Sequence, residues 1–253
     1  MKPSKAARHS HILAEVSQSP SLRVAELAAR MGVSTETIRR DLDELTEQRL
    51  INRTYGGAVR SPGAEPAVGE RHGLLVAERE RIARAASARI KPGAMVMIGS
   101  GATTTHVARR IAIDHRRLTV VTHSFSVATV LALNPTIDVL MAPGRYLASE
   151  GAMVGALTTR FFGDYTADVA IVGASGLTSE GATDAMVEEA AVYGTIVSRA
   201  AEVLMVADRS KFDQVFPARF ASWREIGTLV SDARPDGTLA ETIKRHGVEL
   251  VLA

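Results

Sequence analysis

Apolar residues recur at helical spacing in the first quarter of the chain. Val24, Leu27, Ala28 and Met31 fall on one face of a predicted helix, and after Gly32 a second stripe follows at Ile38, Leu42 and Leu45. Glycine suits the left-handed end of a helix, and a serine at position 34 suits the start of the next one. The pattern predicts two helices joined by a tight turn, within a helical zone over residues 8–52.

From about residue 77 onward, short apolar runs alternate with segments of helical spacing. The helical segments are Thr104–Ile111, Ser126–Leu133 and Ala185–Ala200. Strands with little internal alternation, separated by helices, are typical of a parallel sheet that is covered on both faces. This zone is therefore predicted to be α/β. Its predicted strands are Ala94–Ile98, Leu118–Val121, Ile137–Met141, Asp168–Val172, Val203–Val206, Thr228–Val230 and Leu250–Leu252.

A stretch rich in glycine and proline, residues 56–73, separates the two zones. The predicted organisation is an N-terminal helical domain over residues 1–57, a linker over 58–75 and an α/β domain over 76–253.

Composition narrows the class of protein. The chain has 253 residues, 4% aromatic residues and no cysteine, so disulfides and thiolate metal sites are excluded. No apolar run is long enough for a membrane span, and the N-terminus lacks the apolar core of a secretory signal. We expect a soluble, cytoplasmic protein. Residues 1–60 hold ten basic and seven acidic residues, against 20 and 21 in the rest, so the excess positive charge lies at the N-terminus.

The second predicted helix presents polar residues at its start that suit DNA recognition. Arginine can contact guanine or phosphate, and hydroxyl groups suit phosphates or base edges. Residues 50–57 resemble a short β wing whose arginine would add a phosphate contact. Asp41 and Asp43 are expected to pair with the arginines of the helix. An ordinary helical hairpin with a charged solvent face is the alternative. The candidate DNA-binding residues are Ser34, Thr35, Thr37, Arg39, Arg40 and Arg53.

The N-terminal segment resembles the signature of the DeoR family of bacterial transcriptional regulators. The resemblance rests on VAELAARMGVSTETIRRDLDELTEQRLINRTYGGA, including VS-x-x-TIRRDL and the GGA that closes the wing. It implies a winged helix-turn-helix and DNA binding.

A loop of small residues, Ser100-Gly101-Ala102-Thr103-Thr104, follows the first strand of the α/β zone. Backbone N–H groups at a helix N-terminus, with nearby hydroxyls, can form a phosphate cradle. A tight strand-to-helix turn is the equal alternative. The loop is neither a P-loop nor a dinucleotide fingerprint, because the required spacing is absent.

Further polar residues follow other predicted strands, and loops at the carboxyl ends of parallel strands converge in space. Lys211 and Arg145 are the expected charge partners of an anionic ligand. His123 is interpreted as a hydrogen-bond donor rather than a metal ligand, and His106 is expected on the solvent side of its helix. No metal or cofactor is predicted. The added candidate effector-binding residues are Thr122, His123, Gly144, Arg145 and Lys211.

The DeoR resemblance extends over this zone, through Gly-Ser-Gly-Ala-Thr-Thr, Val-Thr-His, Gly181-Ala182-Thr183-Asp184 and the segment 208–212. It implies a sensor domain similar in fold to ribose-5-phosphate isomerase that binds a phosphorylated sugar or related metabolite. The protein would then be a repressor of a carbohydrate-metabolism operon. The chain departs from the family at Gly99, His123 and Pro143, so the identity of the effector does not transfer.

An isomerase with a DNA-binding appendage is the alternative function. The related isomerases use Asp-Gly-Ala-Asp at a strand end, whereas residues 172–176 read Val-Gly-Ala-Ser-Gly without a carboxylate. We therefore predict a regulator rather than an enzyme. A homo-oligomer, at least a dimer, is expected because one helix-turn-helix buries little surface on DNA.

Overall fold

The structure is a computed structural model that describes residues 5, 8–9, 11–12, 22–47, 51–54, 57–60 and 65–253. The chain divides into two compact units, Met1–Pro66 and Ala67–Ala253.

The first unit contains the two helices that the apolar spacing predicts. Helix α1 spans Val24–Met31 and helix α2 spans Thr35–Glu47. Gly32 between them has a φ of 62°, and the N–H of Val33 donates to the carbonyl of Ala28, which closes the first helix. Among the residues of this unit that the structure describes, the predicted stripes and Ile12 form the core.

A small antiparallel sheet completes this unit. Its strands are Leu22–Arg23, Gly57–Arg60 and Ile51–Thr54, in that spatial order. The last two form the predicted wing. Leu22–Arg23 was predicted to be helical and is instead a strand, because its backbone pairs with the distant wing strand, a contact that local periodicity cannot report.

The second unit is built on a seven-stranded sheet in which every neighbouring pair is parallel. Each predicted strand corresponds to one strand of this sheet, with bounds shifted by one to three residues. The α/β prediction is confirmed. The order across the sheet is Glu249–Leu252, Thr228–Ser231, Ala200–Val206, Ala167–Val172, Met95–Ile98, Thr119–Thr122 and Asp138–Met141.

Helices cover both faces, and alternate strand residues enter two separate cores. Val96 and Ile98 pack in one core and Met97 in the other. The helices are α3 (Val68–Arg71), α4 (Val76–Ser87), α5 (Ala102–Asp114), α6 (Phe125–Leu131), α7 (Ala156–Gly163), α8 (Val187–Ser198) and α9 (Gly237–Arg245). The core of Val96 and Ile98 holds side chains of α4, α5 and α6, and the core of Met97 holds those of α7, α8 and α9.

Short antiparallel strands and a 3₁₀ turn lie outside the parallel sheet. Arg145–Leu147 pairs with Ala152–Val154, and Gly176–Thr178 pairs with Gly181–Asp184, which in turn pairs with Ala218–Ala221. The 3₁₀ turn spans Arg209–Lys211. These elements were not among those predicted from the sequence.

The boundary between the units lies between Pro66 and Ala67, within the stretch predicted to be linker. Residues 67–75 therefore belong to the second unit. The N–H of Val68 donates to the carbonyl of Ser149, and Arg71 forms an ion pair with Glu150. Among the described residues, no helix is long and apolar enough to cross a membrane.

Candidate functional site

The start of helix α2 is fixed by the side chain of Ser34. Its hydroxyl oxygen accepts a hydrogen bond from the N–H of Thr37 at 3.1 Å, which is the geometry of an N-cap. The hydroxyls of Ser34 and Thr37 also lie 2.8 Å apart. Ser34, Thr35 and Glu36 are exposed, and Thr37 is half-buried, so the first turn presents a polar surface.

Arg39 and Arg40 extend into solvent from the exposed face of α2. Their side chains are 57% and 77% exposed, and each approaches Glu36, at 3.9 Å and 3.5 Å. Exposed pairs of this kind contribute little stability and exchange readily for other anions. Arg53 lies in a wing strand opposite Ala58, and its side chain is outside the described part of the chain.

Asp41 is buried and forms a bidentate ion pair with Arg8, with N–O distances of 2.7 Å and 2.9 Å. Burial alone would raise the pKa of Asp41, but Arg8 and His9 outweigh it and hold that pKa below its ordinary value. The expectation that Asp41 pairs with an arginine of its own helix was wrong. Its side chain points to the core side of α2, where a segment distant in sequence supplies the cation.

A cleft lies at the carboxyl ends of the parallel strands, where the loop of small residues opens helix α5. It holds about 370 Å³ of empty space, part of it open to solvent. Its lining comprises the five loop residues Ser100–Thr104 and Lys211, together with Arg71, Arg79, Glu150, Gly173, Ala174, Ser175, Asp184 and Tyr193.

The loop turns into the helix at Gly101, whose φ of 121° is open to glycine and strained for other residues. Because Ala102, Thr103 and Thr104 form the first turn of α5, their N–H groups have no partners within the helix. The N–H of Ser100 is different, since it donates to Nε2 of His123 at 3.2 Å. The anion-binding potential of the loop therefore begins at Gly101.

Three cationic side chains line the cleft. Arg79 binds Asp208 with two nitrogens at 3.2 Å and donates to the carbonyl of Arg71, whose own guanidinium pairs with Glu150. Burial would raise the pKa of Asp208, but Lys211 and Arg79 outweigh burial and lower it. Lys211, predicted from the sequence, thus lies in the cleft close to a buried carboxylate.

Arg71, Arg79, Glu150 and Asp184 were missed by the sequence analysis. Arg71 lies in the predicted linker, and Arg79 lies on a helix where charged residues are ordinarily solvent-exposed. Ile82 and Ala83 follow Arg79 on this helix, but the presence of apolar neighbours does not indicate from the sequence that an arginine is buried. Asp184 ends a segment quoted for the family resemblance, which could have indicated it.

A buried hydrogen-bond network forms the floor of the cleft. Tyr193 donates to the carbonyl of Ser100 at 3.0 Å and lies 3.2 Å from Oε1 of Glu189, which also accepts from the Ser100 hydroxyl. Burial, reinforced by Glu150 and Asp184, raises the pKa of Glu189 well above its ordinary value. The network is polar, and its carboxyl group favours the neutral form.

His123 lies behind the loop and outside the cleft lining. Its Nδ1 lies 2.8 Å from the carbonyl of Met153, and burial lowers its pKa to about 4. The ring is therefore neutral, donates from Nδ1 and accepts from the Ser100 N–H at Nε2. Thr122 is also buried, and its hydroxyl donates to the carbonyl of Ile98 at 2.7 Å. His123 thus holds the backbone of the loop at Ser100, and Thr122 holds the end of the strand that precedes the loop.

Gly144 and Arg145 also lie outside the lining among residues 65–253. A Cβ at Gly144 would stand 2.1 Å from the Thr158 hydroxyl and 2.8 Å from the Val154 carbonyl, so close packing requires glycine there. Arg145 is exposed and pairs with Glu188 on α8. The structure brings together Ser100–Thr104 and Lys211, and leaves Thr122, His123, Gly144 and Arg145 around them.

His106 is buried, whereas the sequence analysis placed it on the solvent side of its helix. The prediction was wrong because helix α5 packs against both α4 and α6, and contacts α3 as well, so little of its surface is left to solvent.

Comparisons with known proteins identify the family. Residues 8–62 match the family described as the DeoR-like helix-turn-helix domain, and residues 75–233 match the DeoR C-terminal sensor domain. The chain belongs to the DeoR family. This DeoR-family chain is accordingly a DNA-binding transcriptional regulator, which confirms the resemblance drawn from its sequence.

Relatives of the same architecture match along nearly the whole chain. The transcriptional repressor CsqR of Escherichia coli K12 is 30% identical over 97% of this chain and 94% of its own length. The glycerol-3-phosphate regulon repressor of the same organism is 30% identical over 97% of this chain and 98% of its own. Among solved structures, ribose 5-phosphate isomerase A from Methanocaldococcus jannaschii has 15% identity and a TM-score of 0.36, over 54% of each chain.

Proposed function

We propose that this DeoR-family regulator is a repressor whose winged helix-turn-helix binds an operator and whose cleft binds a phosphorylated sugar or related metabolite. Ligand binding weakens operator binding. The observation that carries the proposal is the meeting of a helix N-terminus with Arg71, Arg79 and Lys211 in one cleft. Relatives named as repressors, including the glycerol-3-phosphate regulon repressor, support it.

The phosphate is assigned to the N-terminus of α5. The N–H groups of Gly101, Ala102, Thr103 and Thr104 supply donors, and the positive end of the helix dipole favours a dianion. Lys211 neutralises it from the 3₁₀ turn. Ser100 contributes through its hydroxyl network with Glu189 and Tyr193, which holds the loop in position.

The carbohydrate portion is assigned to the polar wall of the cleft. Ser175 bonds to Asp184 at 3.2 Å, and Glu150 stands beside Arg71. Carboxylates accept hydrogen bonds from sugar hydroxyls. These residues line the cleft, whereas His123 and Arg145, which were candidates from the sequence, do not.

Operator DNA is bound by the polar face of α2 and by the wing. Arg39 and Arg40 contact base edges or phosphates after releasing Glu36, and Thr35 and Thr37 contact the backbone or bases. Ser34 and Arg53 complete the set of candidate contacts. Ligand binding weakens DNA binding only if the ligand has the higher affinity for the conformation that binds DNA less tightly.

The protein acts in the cytoplasm as a homo-oligomer under this proposal. Two recognition helices read two half-sites about one helical turn apart. Phe125 and Tyr146 form an exposed edge-to-face pair, with ring centroids 5.3 Å apart, and Val187 is exposed on α8 beside the Arg145–Glu188 pair. We assign the contact between copies to this patch of Phe125, Tyr146 and Val187.

Isomerase activity is the second candidate, because Glu150 and Asp184 place carboxylates in the cleft although residues 172–176 contain none. Arg71 neutralises Glu150, and Asp184 bonds to Ser175 and to the N–H of Met186. Both carboxylates are therefore engaged in holding the cleft. Ketose formation from ribose 5-phosphate would support the enzyme instead.

The test of the proposal compares Lys211→Ala with Arg209→Ala. Arg209 lies in the same 3₁₀ turn, is exposed and does not line the cleft. A charged hydrogen bond contributes about 1.5–3 kcal/mol, so Lys211→Ala should raise the sugar-phosphate concentration that releases DNA by at least about tenfold. Arg209→Ala should respond as wild type.

Thermal unfolding with a panel of sugar phosphates and their dephosphorylated forms gives the direct measurement of ligand class. Stabilisation by the phosphorylated compounds alone is the expected result. If only the unphosphorylated sugars stabilise the protein, or if Lys211→Ala responds as wild type does, the assignment of the phosphate is wrong.

A further inference from the structure

A second cleft lies between helices α4 and α5 and shares no lining residue with the first. It holds about 900 Å³ of empty space, part of it open to solvent. Its lining residues are His72, Val76, Glu80, Ala83, Arg84, His106, Arg109, Arg110 and Ile113.

Two histidines reach this cleft with unsatisfied ring nitrogens. His106 is 6% exposed, and its Nε2 has no hydrogen-bond partner among the described residues. Nδ1 of the half-buried His72 likewise has none in that part of the chain. A buried polar atom without a partner is destabilising, so such atoms in a folded protein ordinarily bind a water or a ligand.

The charges around the second cleft are mainly positive. Arg110 pairs with Asp114 at 2.6 Å, whereas Arg84 and Arg109 have no ion pair among the residues that the structure describes. Among the described residues that line the cleft, Glu80 is the one carboxylate. Burial, with Arg109 and Arg79 nearby, lowers the pKa of His106 to about 4, and burial with Arg109 and Arg71 lowers that of His72. The neutral rings thus lie in a positive field that attracts an anion.

An exposed apolar side chain stands beside the arginines. Ile113 is 66% exposed and follows Arg109 by one helical turn on α5. An inorganic ion would leave this side chain in water. A ligand with both an anionic group and an apolar group satisfies the arginines, the imidazole nitrogens and Ile113 together.

We propose that the second cleft is a binding site for a small organic anion with an apolar portion, separate from the sugar-phosphate cleft. The anionic group binds Arg109 and Arg84 and accepts hydrogen bonds from the ring nitrogens of His72 and His106. The apolar portion covers Ile113. Because His72 directly follows Arg71 of the first cleft, a ligand here contacts the segment that closes helix α3.

The test uses the full-length chain and a matched pair of sulfonates that do not titrate near neutrality, methanesulfonate and benzenesulfonate. Histidine Cε1–H resonances are followed by NMR, with His72→Gln and His106→Gln to assign them. Both compounds should shift the two resonances saturably. Benzenesulfonate should bind at least about fivefold more tightly, because its ring buries apolar area that a methyl group does not.

Variants separate this site from the first cleft. Arg109→Gln should weaken benzenesulfonate binding at least about tenfold, whereas Arg245→Gln, an exposed change on α9, should leave it unchanged. Lys211→Ala should also leave it unchanged, which distinguishes failure here from failure of the proposed function.

Three outcomes would overturn the proposal. They are unshifted histidine resonances, binding that Lys211→Ala abolishes, and resonances that move with protein concentration rather than with sulfonate. The last would make the second cleft a contact between copies of the chain.

Discussion

Glu189 places a carboxyl group in the interior of the second unit, where burial and two neighbouring carboxylates oppose its ionisation. Its Oε1 accepts a hydrogen bond from the hydroxyl of Ser100 and lies 3.2 Å from the hydroxyl of Tyr193, so the carboxyl group has polar partners without being ionised. The raised pKa makes the folded state hold a proton that the unfolded chain releases above about pH 4.5.

Glu189→Gln should therefore change the pH dependence of stability. In the wild type, this residue's contribution to the free energy of unfolding falls as pH rises above about 4.5, until the folded-state pKa is passed. Glutamine keeps the shape and an accepting oxygen but cannot ionise. The variant should gain stability relative to wild type between pH 5 and pH 7, measured by urea unfolding at each pH.

The control is Glu188→Gln, which alters the exposed neighbour paired with Arg145. Glu188→Gln should show no gain in stability relative to wild type on going from pH 5 to pH 7. Parallel curves for wild type and Glu189→Gln would mean that Glu189 is ionised in the folded protein.

At the scale of elements, the two faces of helix α2 have different roles. Ile38, Leu42 and Leu45 are buried, whereas Arg39 and Arg40 are exposed. Arg39→Ala and Arg40→Ala should each weaken operator binding by about 1–3 kcal/mol, the usual cost of a lost arginine contact to a base. Fluorescence anisotropy at fixed salt measures the change, and wild-type affinity in both variants would contradict the assignment.

Arg245→Ala serves as the matched control, since it removes an exposed arginine from α9. The melting temperatures of all three variants should match that of the wild type, because each removes a solvent-exposed side chain.

The elements of regular periodicity could be predicted from the sequence. The seven parallel strands are buried apolar runs such as Met95–Ile98, and the stripes of α1 and α2 repeat every three to four residues. The cap at Ser34 and the turn at Gly32 were predictable too, because they rest on local backbone chemistry.

The remaining elements depend on contacts between distant segments. Strands of three residues, such as Arg145–Leu147, have too few positions for alternation to be recognised. The burial of Arg71, Arg79 and His106 depends on which helices pack together, and their side-chain types suggest exposure. Six of the fourteen residues that line the cleft were predicted from the sequence, namely Ser100–Thr104 and Lys211, whereas its arginines and carboxylates were not.

The whole molecule should be at least a dimer in solution. One recognition helix contacts few base pairs, so strong operator discrimination needs two. Light scattering at micromolar concentration should give twice the chain mass or a higher multiple, and Phe125→Glu should reduce it by placing a charge in the proposed contact patch. A wild-type monomer that remains monomeric on DNA would contradict this prediction.

The attachment of helix α3 sets how much chain connects the two units. Val68 is held at Ser149 and Arg71 at Glu150, so about seven residues separate the wing strand Gly57–Arg60 from the first attached residue. If α3 detached, the count would rise to about fifteen, up to Val76.

The effective concentration of one DNA-binding unit near its half-site, once its partner is bound, falls as about the −3/2 power of tether length. Detachment of α3 would lower this effective concentration about threefold. Arg71→Ala should accordingly weaken binding to a two-half-site operator by about that factor, while binding to a single half-site stays unchanged in a titration of both DNAs. Equal losses on the two DNAs would rule out a tether effect. If the prediction holds, Glu150 keeps the connecting segment short by holding Arg71, and the length of that segment sets how strongly two weak DNA contacts reinforce each other.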